Sequence, residues 1–263
     1  MKMRKIYILI VLLCVTVTYA QIDTTDFYKR INKQYFYLSD TDLKNLSAWI
    51  TSDYFFENSQ RIYAKEVYPI EIIWINPDRL FFIRRPLPNV QDSLLNIMKN
   101  LQTNLQRELN PIFTDWQKVY SNFLFKNLLP DHNFYIQNDT IYITFKADNT
   151  DSEIYSTLSF NYNGRCLNII TYDRIKKQRI LIYPTYISEG NKWICSEWLT
   201  QITEEGEIKS IYKVKMEHKL IANIYFPEKI VMMLLTTDKT KVISERVYYL
   251  RNIRLDRDLK ILN

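Results

Sequence analysis

Glycine is nearly missing from this chain: three residues in 263, against an average usage of about 7%. The dinucleotide fingerprint G-x-G-x-x-G and the phosphate loop G-x-x-x-x-G-K-[ST] both need closely spaced glycines. Neither pattern occurs, which excludes the nucleotide-loop enzymes. Histidine is as scarce, with His132 and His218 alone. Neither has a second His two or four residues away, so no zinc-binding helix motif is present. No Ser has the flanking glycines of a nucleophile elbow. The acids Glu204, Glu205 and Glu207 crowd one hairpin tip, where solvation explains them. Asp148, Asp151 and Glu153 lack the spacing of a calcium loop. No catalytic, metal or cofactor site is therefore expected.

What is present points to export. Lys2, Arg4 and Lys5 form a positive start, Ile6 to Val17 is an apolar run, and Thr18-Tyr19-Ala20 supplies small residues at a cleavage site. This pattern predicts a signal peptide over 1–20, cleaved after Ala20. The run is too short for a single-pass anchor, which wants about 20 apolar residues. Leu13 stands where a lipoprotein box wants a small residue, so lipidation of Cys14 is the minor alternative. The leader holds three of the 35 basic residues and none of the 29 acids, so its removal lowers the net charge from +6 to +3. That balance argues against a nucleic-acid partner. The short clusters Arg84-Arg85 and Lys176-Lys177-Gln178-Arg179 read as a solvated rim, with an anionic surface as the lesser reading. Cys166 and Cys195 remain, and an oxidising compartment permits a disulfide. Their strands lie two apart, about 10 Å, so two half-buried free thiols are expected.

Residues 21–263 read as one α+β domain. Residues 21–133 are mainly helical with two short strands, and 134–263 form a β-meander. Caps at Ser39 to Asp42, followed by Leu43, Leu46 and Ile50, predict a helix there. YPIEIIWINPDRLFFIRRP reads as two extended runs broken at Asn76-Pro77-Asp78. Over 90–128 the period changes: Leu94, Ile97, Met98, Leu101, Leu105 and Leu109 mark one helical face, which Pro111 breaks or kinks. Ile112, Phe113, Trp116, Tyr120, Phe123 and Leu124 continue the stripe as core.

Beyond Phe134 the period is two. Asn138-Asp139 and Asn163-Gly164 are hairpin turns, setting Ile136 against Ile141, Phe160 against Leu167 and Leu158 against Ile169. Ser188-Glu189-Gly190 and Glu204-Glu205-Gly206 read as three-residue loops. Those lengths would align Ile180, Trp198 and Tyr212 across three strands on one face. Pro227 and Asp238-Lys239 break the later strands. The result is a curved antiparallel meander, a half-barrel of eight or more strands covered by helices. Ile230 to Leu235 is apolar on both faces, which fits either a packed central strand or a sheet enclosing an apolar cavity.

The hairpins in TYISEGNKWICSEWLTQITEEGEIKSIYKVKM and the later NIYFPEKIVMMLL make residues 134–237 resemble the periplasmic lipoprotein carriers and the related outer-membrane lipoprotein-sorting proteins. The resemblance implies an incompletely closed sheet, helices over its concave apolar side, and a cavity for acyl chains. The expected function is to bind or carry an apolar or acylated ligand (lipid or lipoprotein) in the periplasm or cell envelope. Leu158, Phe160, Ile169, Ile180, Trp198 and Tyr212 would line the cavity, with the helix over Leu94 to Leu109 as lid. The alternative is a non-enzymatic envelope interaction module with a packed core. An integral barrel is disfavoured by the long helical segment. Oligomeric state is not legible.

Overall fold

The structure, a computed structural model, describes residues 24–63, 65–121, 132–146 and 153–256. The expected leader, Phe123, Leu124, Asp148 and Asp151 lie outside these. Twelve antiparallel strands form one open sheet in the order β3-β2-β1-β12-β11-β10-β9-β8-β7-β6-β5-β4. Strands β4 (Asn133–Gln137), β5 (Thr140–Lys146), β6 (Ile154–Asn161), β7 (Cys166–Asp173), β8 (Gln178–Glu189), β9 (Lys192–Glu204), β10 (Glu207–Ile221), β11 (Ile224–Leu235) and β12 (Val242–Leu255) are the expected meander. Strands β1 (Asn45–Ser52), β2 (Ile70–Ile75) and β3 (Arg79–Arg84) extend it, because β1 pairs with β12. Among the described residues there are three α-helices: α1 (Thr24–Gln34), α2 (Asp53–Gln60) and α3 (Asp92–Trp116).

The helix expected after Ser39 is instead strand β1. Leu46 and Ile50 are four apart, a spacing that fits a helix face and a strand face equally. Ala48 and Ser52, also buried, complete a period of two, and pairing on both sides decides the matter. Ser52 then caps α2, its hydroxyl accepting from Phe55 N at 3.1 Å. Helix α3 runs unbroken through Pro111 to Trp116. The missing amide costs one helical hydrogen bond, and the buried Leu109, Ile112, Phe113 and Trp116 around it hold the helix on the sheet. One π-helical turn, Gln117–Ser121, follows it. Pro227 likewise sits inside β11, and the turn falls at Ala222-Asn223, whose φ values of 47° and 64° suit a tight hairpin.

Registers differ from expectation in an orderly way. Ile136 pairs with Ile141 and Leu158 with Ile169 as read, but Phe160 pairs with Cys166. Glu189 meets Lys192 and Glu204 meets Glu207, so both later turns have two residues rather than three. A one-residue error in a turn inverts a strand's faces. Here each hairpin carries a compensating β-bulge, at Thr185/Tyr186 and at Ile208/Ser210. The faces are restored while the partners slide: Ile180 pairs with Ile202, Trp198 with Pro184 and Val214, and Tyr212 with Thr200. The row that forms is Ile143, Leu158, Ile169, Ile182, Thr200 and Tyr212, each neighbour paired with the next.

The core lies between this row and the helices. Phe27 of α1 packs edge-on against Phe160 at 5.8 Å. Burying such side chains contributes about 1.5–3 kcal/mol each. Tyr35 follows α1 and closes its end: its hydroxyl donates to Gly164 O at 2.9 Å and accepts from Cys166 N at 2.7 Å. Gly164, at φ 81°, serves this contact because a Cβ there would stand 2.9 Å from Gln34 Oε1.

Candidate functional site

Helix α3 crosses the covered face with a buried stripe of Met98, Leu105, Leu109, Ile112, Phe113 and Trp116. Three polar side chains interrupt that stripe and tie the helix to its surroundings. Gln102 Nε2 donates to Pro69 O at 2.8 Å and to Arg85 O at 2.9 Å. Glu108 accepts from the Tyr248 hydroxyl of β12 at 3.1 Å. Asp115, 3% exposed, accepts on one oxygen from Thr200 Oγ1 and from the Tyr212 hydroxyl, both at 2.7 Å.

Asp115 is the group with the most to gain or lose. Burial raises its pKa above the usual carboxylate value, opposed by Lys118 and by the donors Thr200 and Tyr212. The Trp198 indole also lowers it, though Trp198 Nε1 makes no hydrogen bond of good geometry. Removing water from a carboxylate disfavours its charged form, and each donated hydrogen bond favours it. Burial and the neighbouring carboxylate push the Tyr212 phenol upward in turn. The arrangement is a latch that ties α3 to β9 and β10 through one ionisable carboxyl.

A second buried group stands a turn further on. His218 stacks on Tyr120 at 5.3 Å, and Tyr120 stacks on Trp116 at 5.3 Å. Both His218 ring nitrogens, the Tyr120 hydroxyl and Trp116 Nε1 are buried without a hydrogen-bond partner. Burial pushes the imidazole down to about 4, which keeps it neutral.

The structure brings two of the six expected ligand residues, Trp198 and Tyr212, to this latch. Leu158, Phe160 and Ile169 lie in the core, each fully buried, and Ile180 is half-buried against it. Two surface clefts are lined by none of the six. One, of about 460 Å³, includes Thr51, Asp53, Glu57, Glu66, Tyr68 and Arg251; the other, of about 420 Å³, lies between β11 and β12. Asp115 escaped sequence reasoning, yet a signal existed. It is an acid three residues after Ile112 and four before Val119, inside an apolar stripe.

Cys166 and Cys195 are free and fully buried rather than half-buried. Burial pushes the Cys166 thiol up to about 12 and Cys195 upward as well, which suppresses the reactive thiolate. Among the described residues no cluster of His, Cys, Asp or Glu could hold a metal ion. No described helix is long and apolar enough to cross a membrane. Glu153 forms an ion pair with Arg174 at 3.4 Å. No protein-family model, curated protein or solved structure matches the chain.

Proposed function

We propose that this is an envelope protein that binds or carries an apolar or acylated ligand between a curved half-barrel sheet and its helices. Helix α3 acts as a plug that the ligand displaces. The observation that carries this reading is the Asp115 latch. A permanent plug is held most cheaply by apolar contact, because replacing a buried ionisable contact with well-packed apolar groups is often neutral or stabilising. An ionisable group that engages Thr200 and Tyr212 suits a contact that is made and released. An acyl chain taking the helix's place would be stabilised by about 0.8 kcal/mol per buried CH₂. Export to the envelope rests on the pattern in residues 1–20, and the resemblance to lipoprotein carriers rests on the layout of hairpins.

One observation favours the second reading, a packed interaction module. Leu158, Phe160, Ile169, Trp198 and Tyr212 are each at most 4% exposed, so α3 and the aromatic side chains fill the space a ligand would occupy. Native mass spectrometry of the protein purified from its own envelope separates the two. A discrete added mass that solvent extraction releases as lipid or acylated peptide is the expected result. A clean apo mass, with no later uptake of a fluorescent fatty acid, would leave the interaction module standing.

A further inference from the structure

The twelve-stranded sheet parts along one of its pairings. Strand β12 pairs with β11 only from Lys229↔Tyr249 to Leu235↔Val242, while its residues Tyr248 to Leu255 pair with β1. The first residues of β11, Ile224 to Pro227, thus pair with β10 on one side and have no β12 partner on the other. Local sequence accounts for the split. Pro227 lacks the amide that a ladder uses, Glu228 beside it is the extra residue of a bulge facing Glu217/His218, and Asn252 holds φ at 51°. Each device interrupts regular pairing.

The split is a cleft of about 420 Å³. Its apolar lining is Ile221, Ile253 and Leu250, and Leu250 is 1% exposed and part of the main core. Its polar lining includes Lys219 and Arg251, with Glu228 in an ion pair with Lys219 at 3.8 Å. An apolar floor that reaches the core beneath a rim of two cations and one carboxylate, net positive by one charge, fits an acyl chain with an anionic head. An inserted peptide strand fits worse, because Pro227 and the bulge deny it a regular ladder.

We propose that an anionic acyl amphiphile enters through the split between β11 and β12, its chain over Ile221, Leu250 and Ile253 and its head on Lys219 and Arg251. This rests on the ligand-carrying reading above, and supplies the ligand's charge and its route.

Stopped-flow uptake of a dansyl-labelled fatty acid by the full chain tests it. Ile221→Trp with Ile253→Trp narrows the cleft, and uptake is expected to slow roughly tenfold. Lys219→Glu, an exposed change that spares the fold, is expected to slow uptake several-fold at low salt and little at high salt. Uptake by wild type at a rate that neither change alters would overturn the entrance and leave the carrier reading intact. No uptake by wild type would overturn the carrier reading, and the entrance with it. A methyl ester of the same probe entering as fast as the acid would overturn the anionic head.

Discussion

The two ends of the covered face are built differently. At the α1 end, beside β6 to β9, aromatic packing closes the interior. Tyr35 satisfies both Gly164 and Cys166, and it packs edge-on against Trp193 at 5.2 Å and Tyr186 at 5.0 Å. At the α3 end, beside β9 to β12, the interior holds a buried carboxylate, a neutral buried imidazole and several polar atoms without partners. The sheet also splits there. A buried unsatisfied polar group costs about 1–3 kcal/mol, and both ends hold some: Gln34 Oε1 and the Tyr186 hydroxyl at the first, the Tyr120 hydroxyl and both His218 nitrogens at the second, so what sets the second end apart is its buried carboxylate and imidazole. Under the carrier reading proposed above, the α1 end anchors the fold and the α3 end is where it opens.

Three substitutions sharpen that contrast. The largest effect belongs to the anchoring end. Phe160→Ala removes the ring packed on Phe27 and is expected to cost about 3–5 kcal/mol, read by urea unfolding. A loss under about 1 kcal/mol would show that this end is as loosely built as the other.

The next effect is at His218. Its folded pKa of about 4 lies below the ordinary 6.5, so the unfolded chain takes up a proton first as pH falls. The contribution is present above the ordinary histidine value and is lost between about pH 6.5 and 4. Wild type should lose up to about 3 kcal/mol across that window relative to His218→Phe. Parallel stability profiles for the two proteins would refute the buried, neutral histidine.

Asp115→Asn should be the smallest change, and of opposite sign. A carboxyl whose folded pKa is raised binds its proton more readily in the native state. Its contribution is therefore greatest in acid and declines as pH rises through and above the ordinary aspartate range. The Asn variant keeps an acceptor for Thr200 and Tyr212 but cannot ionise, so thermal unfolding should show it gaining on wild type as pH increases. Under the carrier reading it also holds α3 more firmly and takes up less fatty acid at neutral pH. Unchanged uptake would detach the latch from function.

The hairpin series was readable because turn chemistry is local. Asn138-Asp139 and the three glycines marked turns, and all of these residues have positive φ. Register within the hairpins was not readable, because bulges at Thr185/Tyr186 and Ile208/Ser210 answer to packing across the sheet. Strand β1 was misread for a related reason: Leu46 and Ile50 satisfy both periods, and only partners in β2 and β12 choose between them. Of the site, Trp198 and Tyr212 were legible as inward-facing aromatics. Their meeting at Asp115, which precedes Trp198 by more than eighty residues, was not.

By itself the sequence determined the elements whose causes are local: the turns marked by glycine or by Asn138-Asp139, the alternation of the meander strands, the α3 stripe, and the lack of glycine loops or paired histidines. Tertiary structure decided how β1 to β3 extend the meander through β12, where the sheet splits, and that one carboxyl of an apolar stripe lies against two hydroxyls. Those outcomes depend on contacts between distant segments, where burial sets the cost of every polar group and pattern along the chain does not name the partner that meets it.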